Sequence, residues 1–220
     1  MLNIAIDGPA GAGKSTIAKT VARELGCIYV DTGAMYRAIG LFAVENGIPT
    51  KDAAALAPRL TEAKVAIEYR EDGQHILLNG RDVSAEIRTP EMGMAASDVS
   101  AMPEVRAYLL DLQRDMAATH NVVMDGRDIG TVILPNANVK IFLTASAEER
   151  ARRRHAEHVA KGENVSYNKI LDDIVQRDSQ DTSRASAPLK QAEDAVLVDS
   201  TGLTVAQVAD AILKLVNERL

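Results

Sequence analysis

The chain has 220 residues, 46% of them hydrophobic, and its 31 acidic against 25 basic side chains leave a formal net charge of −6. That size and apolar content allow one substantial core, and the acidic balance argues against nucleic-acid binding by bulk electrostatics. The single cysteine, Cys27, excludes a disulfide framework or a cysteine metal site within the chain, and no run of about 18 apolar residues suggests a membrane span, so a cytoplasmic enzyme without a signal peptide is the expectation.

The apolar run at 2–6 has the length of a strand and leads into Gly8-Pro9-Ala10-Gly11-Ala12-Gly13-Lys14-Ser15, which meets the pattern G-x-x-x-x-G-K-[ST] at every fixed position. From Thr16 onward the apolar spacing is helical, so the motif has the strand-to-helix setting that a phosphate loop needs. Glycines let the backbone curl until successive N–H groups point inward, and the helix N-terminus adds partial positive charge at the same point. A di- or triphosphate fits such a cradle, built from Gly8 through Thr16. Lys14 reaches its β and γ phosphates, and the Ser15 hydroxyl is a ligand for the accompanying Mg²⁺.

Gly26 stops the first helix, and 27–31 reads as a second buried strand in which Cys27 is a buried thiol. Strand, helix and strand make a βαβ unit, which brings Asp31-Thr32-Gly33 to the same carboxyl edge as the phosphate loop. The next helix, 34–46, carries Arg37 early, where the helix dipole disfavours a cation and a compensating anion is expected. Residues 50–63 read as helical. The period then changes to two: strands at 65–69, 75–78 and 81–83, separated by Asp72-Gly73 and Asn79-Gly80, form an antiparallel meander whose insertion into a parallel framework suits a substrate site. Helices at 90–100 and 103–118, each begun by proline, carry Ser97 and Arg106.

The strand at 121–125 ends in Asp125, a Walker B pattern that sets its carboxylate near the metal's water shell. Arg127 and Asp128 follow at the substrate edge. After a fourth strand at 138–143, Ser146-x-x-Glu149 forms a capping box for a helix over 147–160, dense in Arg150, Arg152, Arg153 and Arg154. A second polar helix runs from Tyr167 towards Asp178, and if it persists Arg177, Asp181 and Arg184 share one face. This charged hairpin, poor in apolar anchors, has the composition of a mobile lid. A fifth strand at 195–199 and a terminal helix capped by Thr204-x-x-Gln207 complete the chain. The expected architecture is α/β: one domain with a five-stranded parallel sheet and helices on both faces, a core over about 1–60, 101–148 and 189–220, the insert over about 61–100 and the lid over about 149–188.

The phosphate loop, Asp31-Thr32-Gly33-Ala34-Met35-Tyr36-Arg37, Asp125-Gly126-Arg127-Asp128-Ile129-Gly130-Thr131 and the segment from Arg177 to Arg184, in that order and with the meander between them, resemble the bacterial cytidylate kinases over essentially the whole chain. The resemblance implies a P-loop kinase that uses ATP and Mg²⁺ and acts on CMP or dCMP; a monomer with no nucleic-acid or membrane partner is the further expectation. It also implies that Arg37 and Arg127 hold the CMP phosphate, that Ser97, Arg106, Asp128 and Arg184 read the cytosine, and that Arg177 and Asp181 contact the ribose. Thr32 stands where the family often has serine and keeps the hydroxyl. Lid arginines, Arg150 and Arg154 among them, would close on the ATP phosphates, completing a catalytic set with Lys14, Arg37 and Arg127. The chemistry agrees, since a monophosphate with a second pKa of about 6 is its own nucleophile and needs no general base. A GTPase switch would carry N-K-x-D, but Asn168-Lys169 continues as Ile170-Leu171. The nearest alternative is a kinase for UMP, AMP or a shikimate-type alcohol.

Overall fold

The computed structural model describes residues 1–71 and 73–219, so the aspartate of the Asp72-Gly73 turn lies outside the described residues. The chain forms two compact units, Met1–Tyr29 with Thr119–Leu220, and Val30–Ala118.

The first unit starts with β1 (Asn3–Asp7) and α1 (Lys14–Glu24). The chain leaves it within β2 (Ile28–Asp31), which begins one residue after Cys27; that thiol is half-buried at the strand's entrance rather than buried within it.

In the second unit α2 (Thr32–Glu45) starts directly at Asp31. The helix expected over 50–63 is instead a single turn, α3 (Ala53–Leu56), followed by a 3₁₀ segment (Ala57–Glu62). Pro58 is the reason, because it lacks an N–H and its ring collides with the carbonyl four residues back. The meander is present as β3 (Val65–Arg70), β4 (Gly73–Leu78) and β5 (Arg81–Asp82), antiparallel in that order. Its Asn79-Gly80 turn has φ of 53° and 81°, the two positive values that a two-residue hairpin of the right twist requires. A 3₁₀ turn (Glu86–Arg88), α4 (Pro90–Ser100) and α5 (Pro103–Thr119) follow. α2 packs on α4, on β4 and on the 3₁₀ turn, around the buried Met35, Ile39, Ile76, Ile87 and Val99.

Back in the first unit come β6 (Val122–Gly126), a π turn (Ile129–Ile133), β7 (Val139–Thr144), α6 (Ala147–Ala160), α7 (Tyr167–Ser183), β8 (Val196–Asp199) and α8 (Val205–Arg219). The five-stranded parallel sheet has the order β2-β6-β1-β7-β8, with Ile6 in register with Asp125 on one side and Ile141 on the other. Ile4, Ile6, Ile141 and Leu143 of the strands meet Val21 of α1 and Ile212 of α8 in the core. α7 runs to Ser183, past the expected end near Asp178. The α6–α7 hairpin also has a small core of its own, Ala151, Ile170 and Ile174 with Val165 and Tyr167 against them.

The two capping boxes differ. At α8 both halves form, Gln207 N–H to Thr204 and Thr204 N–H to Gln207. At α6 the Ser146 hydroxyl accepts from Glu149 N–H, but the Glu149 carboxylate is taken by Arg152 and Arg153, and Ser146 N–H donates to Thr201 instead. No helix among the described residues is long and apolar enough to cross a membrane.

Candidate active site

In the first unit the phosphate loop leaves β1 at Gly8 because nothing larger fits: a Cβ there would lie 1.9 Å from the carbonyl oxygen of Leu143 in β7, and the backbone φ is 151°. Gly8, Pro9 and Ala10 are buried, whereas Gly11, Ser15 and Thr16 are exposed. Lys14 opens α1 with its ammonium folded back on the loop, donating to the Pro9 carbonyl at 2.8 Å. Burial, with the Arg127 charge second, pushes its pKa down to about 7, against the pull of Asp125. The Ser15 hydroxyl donates to one oxygen of Asp125 at 2.9 Å, and the Tyr29 hydroxyl donates to the other at 3.1 Å. The strand-ending acid is thus oriented from both sides. Among the described residues no cluster of three or more His, Cys, Asp or Glu could hold a metal alone, so a cation here would need ligand oxygens besides Ser15 and Asp125.

Asp7 was not singled out from the sequence. Its two oxygens accept the N–H groups of Ile129 and Gly130 at 2.8 and 2.7 Å, pinning the π turn to the end of β1. Burial raises its pKa to about 6 despite those bonds. The loop so held carries Arg127 and the buried Asp128. Arg127 donates through Nε to Asp181 of α7 at 2.7 Å, and Arg184 at the end of α7 lies 3.7 Å from Asp128. Burial works to raise the Asp181 pKa, but Arg127, Arg177 and Arg184 together hold it below the usual carboxylate range.

The arginines of α6 divide. Arg150 is buried and donates to the carbonyls of Ala145 and Ala10 and to both oxygens of Asp178. Arg153 reaches Ser200, and Arg152 pairs with Glu149. Arg154, half-buried, makes no hydrogen bond or ion pair among the described residues.

The second unit holds the other expected residues. Asp31 caps α2 by accepting from Ala34 N–H at 3.0 Å, and its second oxygen takes Arg88 at 2.8 Å. Arg37, one turn into α2, donates to the Ile87 carbonyl at 2.9 Å, which sets it beside Arg88 in the chain's packing. Thr32 is buried in the first turn. Arg106 on α5 is buried, donates to the Ser100 carbonyl and lies over the Tyr36 ring at 5.6 Å; Ser97, three residues before Ser100, is half-buried on α4. Arg88 and Tyr36 were therefore missed as neighbours of the expected set. Arg88 lies in no motif, and Tyr36 sits inside one without an assigned role.

A parallel sheet of this order, a phosphate loop with its lysine inside the cradle, and an acid-ended strand beside the helix-start serine define a P-loop phosphotransferase. The fold is that of a gluconokinase from Sinorhizobium meliloti, which superposes with a TM-score of 0.51 at 14% identity, covering 99% of this chain and 92% of the other. The cytidylate kinase family model matches residues 4–218, and the chain belongs to that family. Proteins named cytidylate kinase from Carboxydothermus hydrogenoformans (51% identical, covering 99% of this chain and 98% of the relative) and Caldicellulosiruptor saccharolyticus (51%, covering 97% and 95%) are similar over nearly their full lengths.

Proposed function

We propose that the chain transfers the γ-phosphate of ATP to CMP or dCMP, giving ADP and CDP or dCDP. The observation that carries this reading is the coincidence, in a member of the cytidylate kinase family, of the Lys14 cradle with arginines at both Asp31-Thr32-Gly33 and Asp125-Gly126-Arg127. Two polyanions must approach for such a transfer. The chain's task is to cancel their repulsion, align them in line and exclude water.

On the donor side, the loop from Gly8 to Thr16 takes the triphosphate, Lys14 meets the β and γ oxygens, and Arg154 adds charge from α6. The oxygens of Ser15 and Asp125 fit a hard cation, Ser15 directly and Asp125 through water, and Mg²⁺ bound there would neutralise phosphate charge. On the acceptor side, Arg37 and Arg127 hold the CMP phosphate, Arg177 and Asp181 meet the ribose, and Thr32 adds a hydroxyl to the CMP-binding set. An oxygen of the CMP dianion attacks the γ phosphorus, the bond from that phosphorus to the β–γ bridging oxygen breaks, and its electron pair leaves with ADP. Cytosine offers an amino donor where uracil has an acceptor. Asp128 is the group that welcomes the first and repels the second, with Ser97, Arg106 and Arg184 on the remaining ring atoms. The meander and its flanks, about 61–100, serve as the monophosphate-binding insert, and about 149–188 as the lid.

ATP consumption with CMP, dCMP, UMP, AMP and shikimate, one at a time, tests the reading. CMP and dCMP are expected to lead; turnover of UMP or AMP with CMP untouched would refute it.

A further inference from the structure

The helix α7 contains two buried or half-buried acids three residues apart, and only one has a role in the reading above. Asp181 takes Arg127 at 2.7 Å. Asp178 takes Arg150 with both oxygens, at 3.1 and 2.6 Å, and the same guanidinium donates to the Ala10 carbonyl in the phosphate loop at 3.0 Å. Residues three apart on a helix lie on neighbouring lines of one face. The loop carbonyl, Arg150, Asp178, one turn of α7, Asp181 and Arg127 therefore form an unbroken series of charge-assisted contacts.

α7 needs such a tie. Its buried apolar residues are Ile170 and Ile174, and the next buried residue along it is Asp181 itself. The half of the helix that carries Arg177 and Asp181 has no apolar anchor, so its position is set by polar contacts. A two-pronged guanidinium–carboxylate pair is the most direction-specific of these. Four of the five N–H groups of Arg150 already serve Ala145, Ala10 and Asp178.

We propose that Asp178 is a positioning residue: through Arg150 it docks α7 on the phosphate loop and so fixes where Asp181 holds Arg127 for the acceptor. This inference rests on the function proposed above.

Asp178→Asn keeps the size and one acceptor but loses the charge and the second prong. In the full chain it is expected to raise the KM for CMP about tenfold, as for a reacting group displaced by a fraction of an ångström, and to move the KM for ATP far less. Because the effect passes through Asp181, the same substitution made in an Asp181→Asn background should add less than about twofold. Should Asp178→Asn fail to fold, Arg150→Lys, which keeps the charge but not the fork, is expected to move the same KM in the same direction. A second readout needs no substrate: amide exchange over 176–183 should quicken in the variant while that of β1 is unchanged. An unchanged CMP KM with unchanged exchange, an equal increment in both backgrounds, or a loss confined to ATP would overturn the proposal. A wild-type chain that ignores CMP would instead refute the functional reading, and the exchange result would still decide whether Asp178 positions α7.

Discussion

α1 follows β1 through the phosphate loop, and α2 follows β2 directly, yet their first turns are finished in opposite ways. α1 starts from Gly13 in the left-handed region, with no side-chain cap and no acid in its first turn. α2 starts from Asp31, whose carboxylate accepts from Ala34 N–H. The first N–H groups of a helix have no partner inside it. At α1 these donors and the dipole have no side-chain cap, while Lys14 donates to the Pro9 carbonyl and Ser15 to Asp125, so in the function proposed above backbone N–H groups meet the donor phosphates. At α2 the aspartate already answers one of them, Ala34 N–H, so in the proposed function anion binding falls to Arg37, with Arg88 held on the other oxygen of Asp31. In that reading one helix start meets a polyphosphate and the other positions guanidinium groups.

The strongest way to break this contrast is Lys14→Ala. Turnover should fall by about 10²- to 10³-fold or more, the scale of losing a preorganised charge at the transferring group, with no loss of thermal stability because a cation that burial disfavours is removed. Steady-state rates and calorimetric melting check both halves. Next in size is a pH effect. With its pKa at about 7 in the free protein, Lys14 is increasingly neutral above that pH, whereas bound triphosphate favours the cation. ATP binding should therefore take up a proton from about pH 7 upward, and affinity should weaken towards tenfold per pH unit. Titration calorimetry in buffers of different ionisation enthalpy measures the uptake. If it persisted in Lys14→Ala, another group would be responsible. The smallest effect is expected at the other helix: Asp31→Ala should cost about 1 kcal/mol of stability from the lost cap and raise the KM for CMP without touching that for ATP, as read by denaturant unfolding and kinetics.

The same contrast explains what was legible in the sequence. Where the ligand is met by backbone, the requirement falls on consecutive residues, and Gly8 to Ser15 displays it openly. The five strands were legible for a related reason, since each is a short apolar run between turn signals. Where groups are met by side chains, the partners are remote. Tyr29 and Asp125 are 96 residues apart, Asp7 and Ile129 are 122 apart, and Arg150 and Asp178 are 28 apart, and no local pattern announces any of these pairs. α7 extends to Ser183 beyond its apolar period, which its last turns do not carry, and the helical spacing at 50–63 is cut to one turn by Pro58. Charge density in α6 does not tell which arginine pairs with what, and the fold joins Arg150 to Asp178 and Arg152 and Arg153 to Glu149.

The division between the two helix starts is tested most directly at Arg37. Kinetics of Arg37→Lys with CMP, together with equilibrium titration of the same variant by a non-hydrolysable ATP analogue, separates acceptor from donor. A loss of roughly 2 to 4 kcal/mol in kcat/KM for CMP is predicted, since lysine replaces a fork with a point charge, while affinity for the ATP analogue stays level. A loss that appeared wholly as weaker binding of the ATP analogue would contradict the account and move Arg37 to the donor.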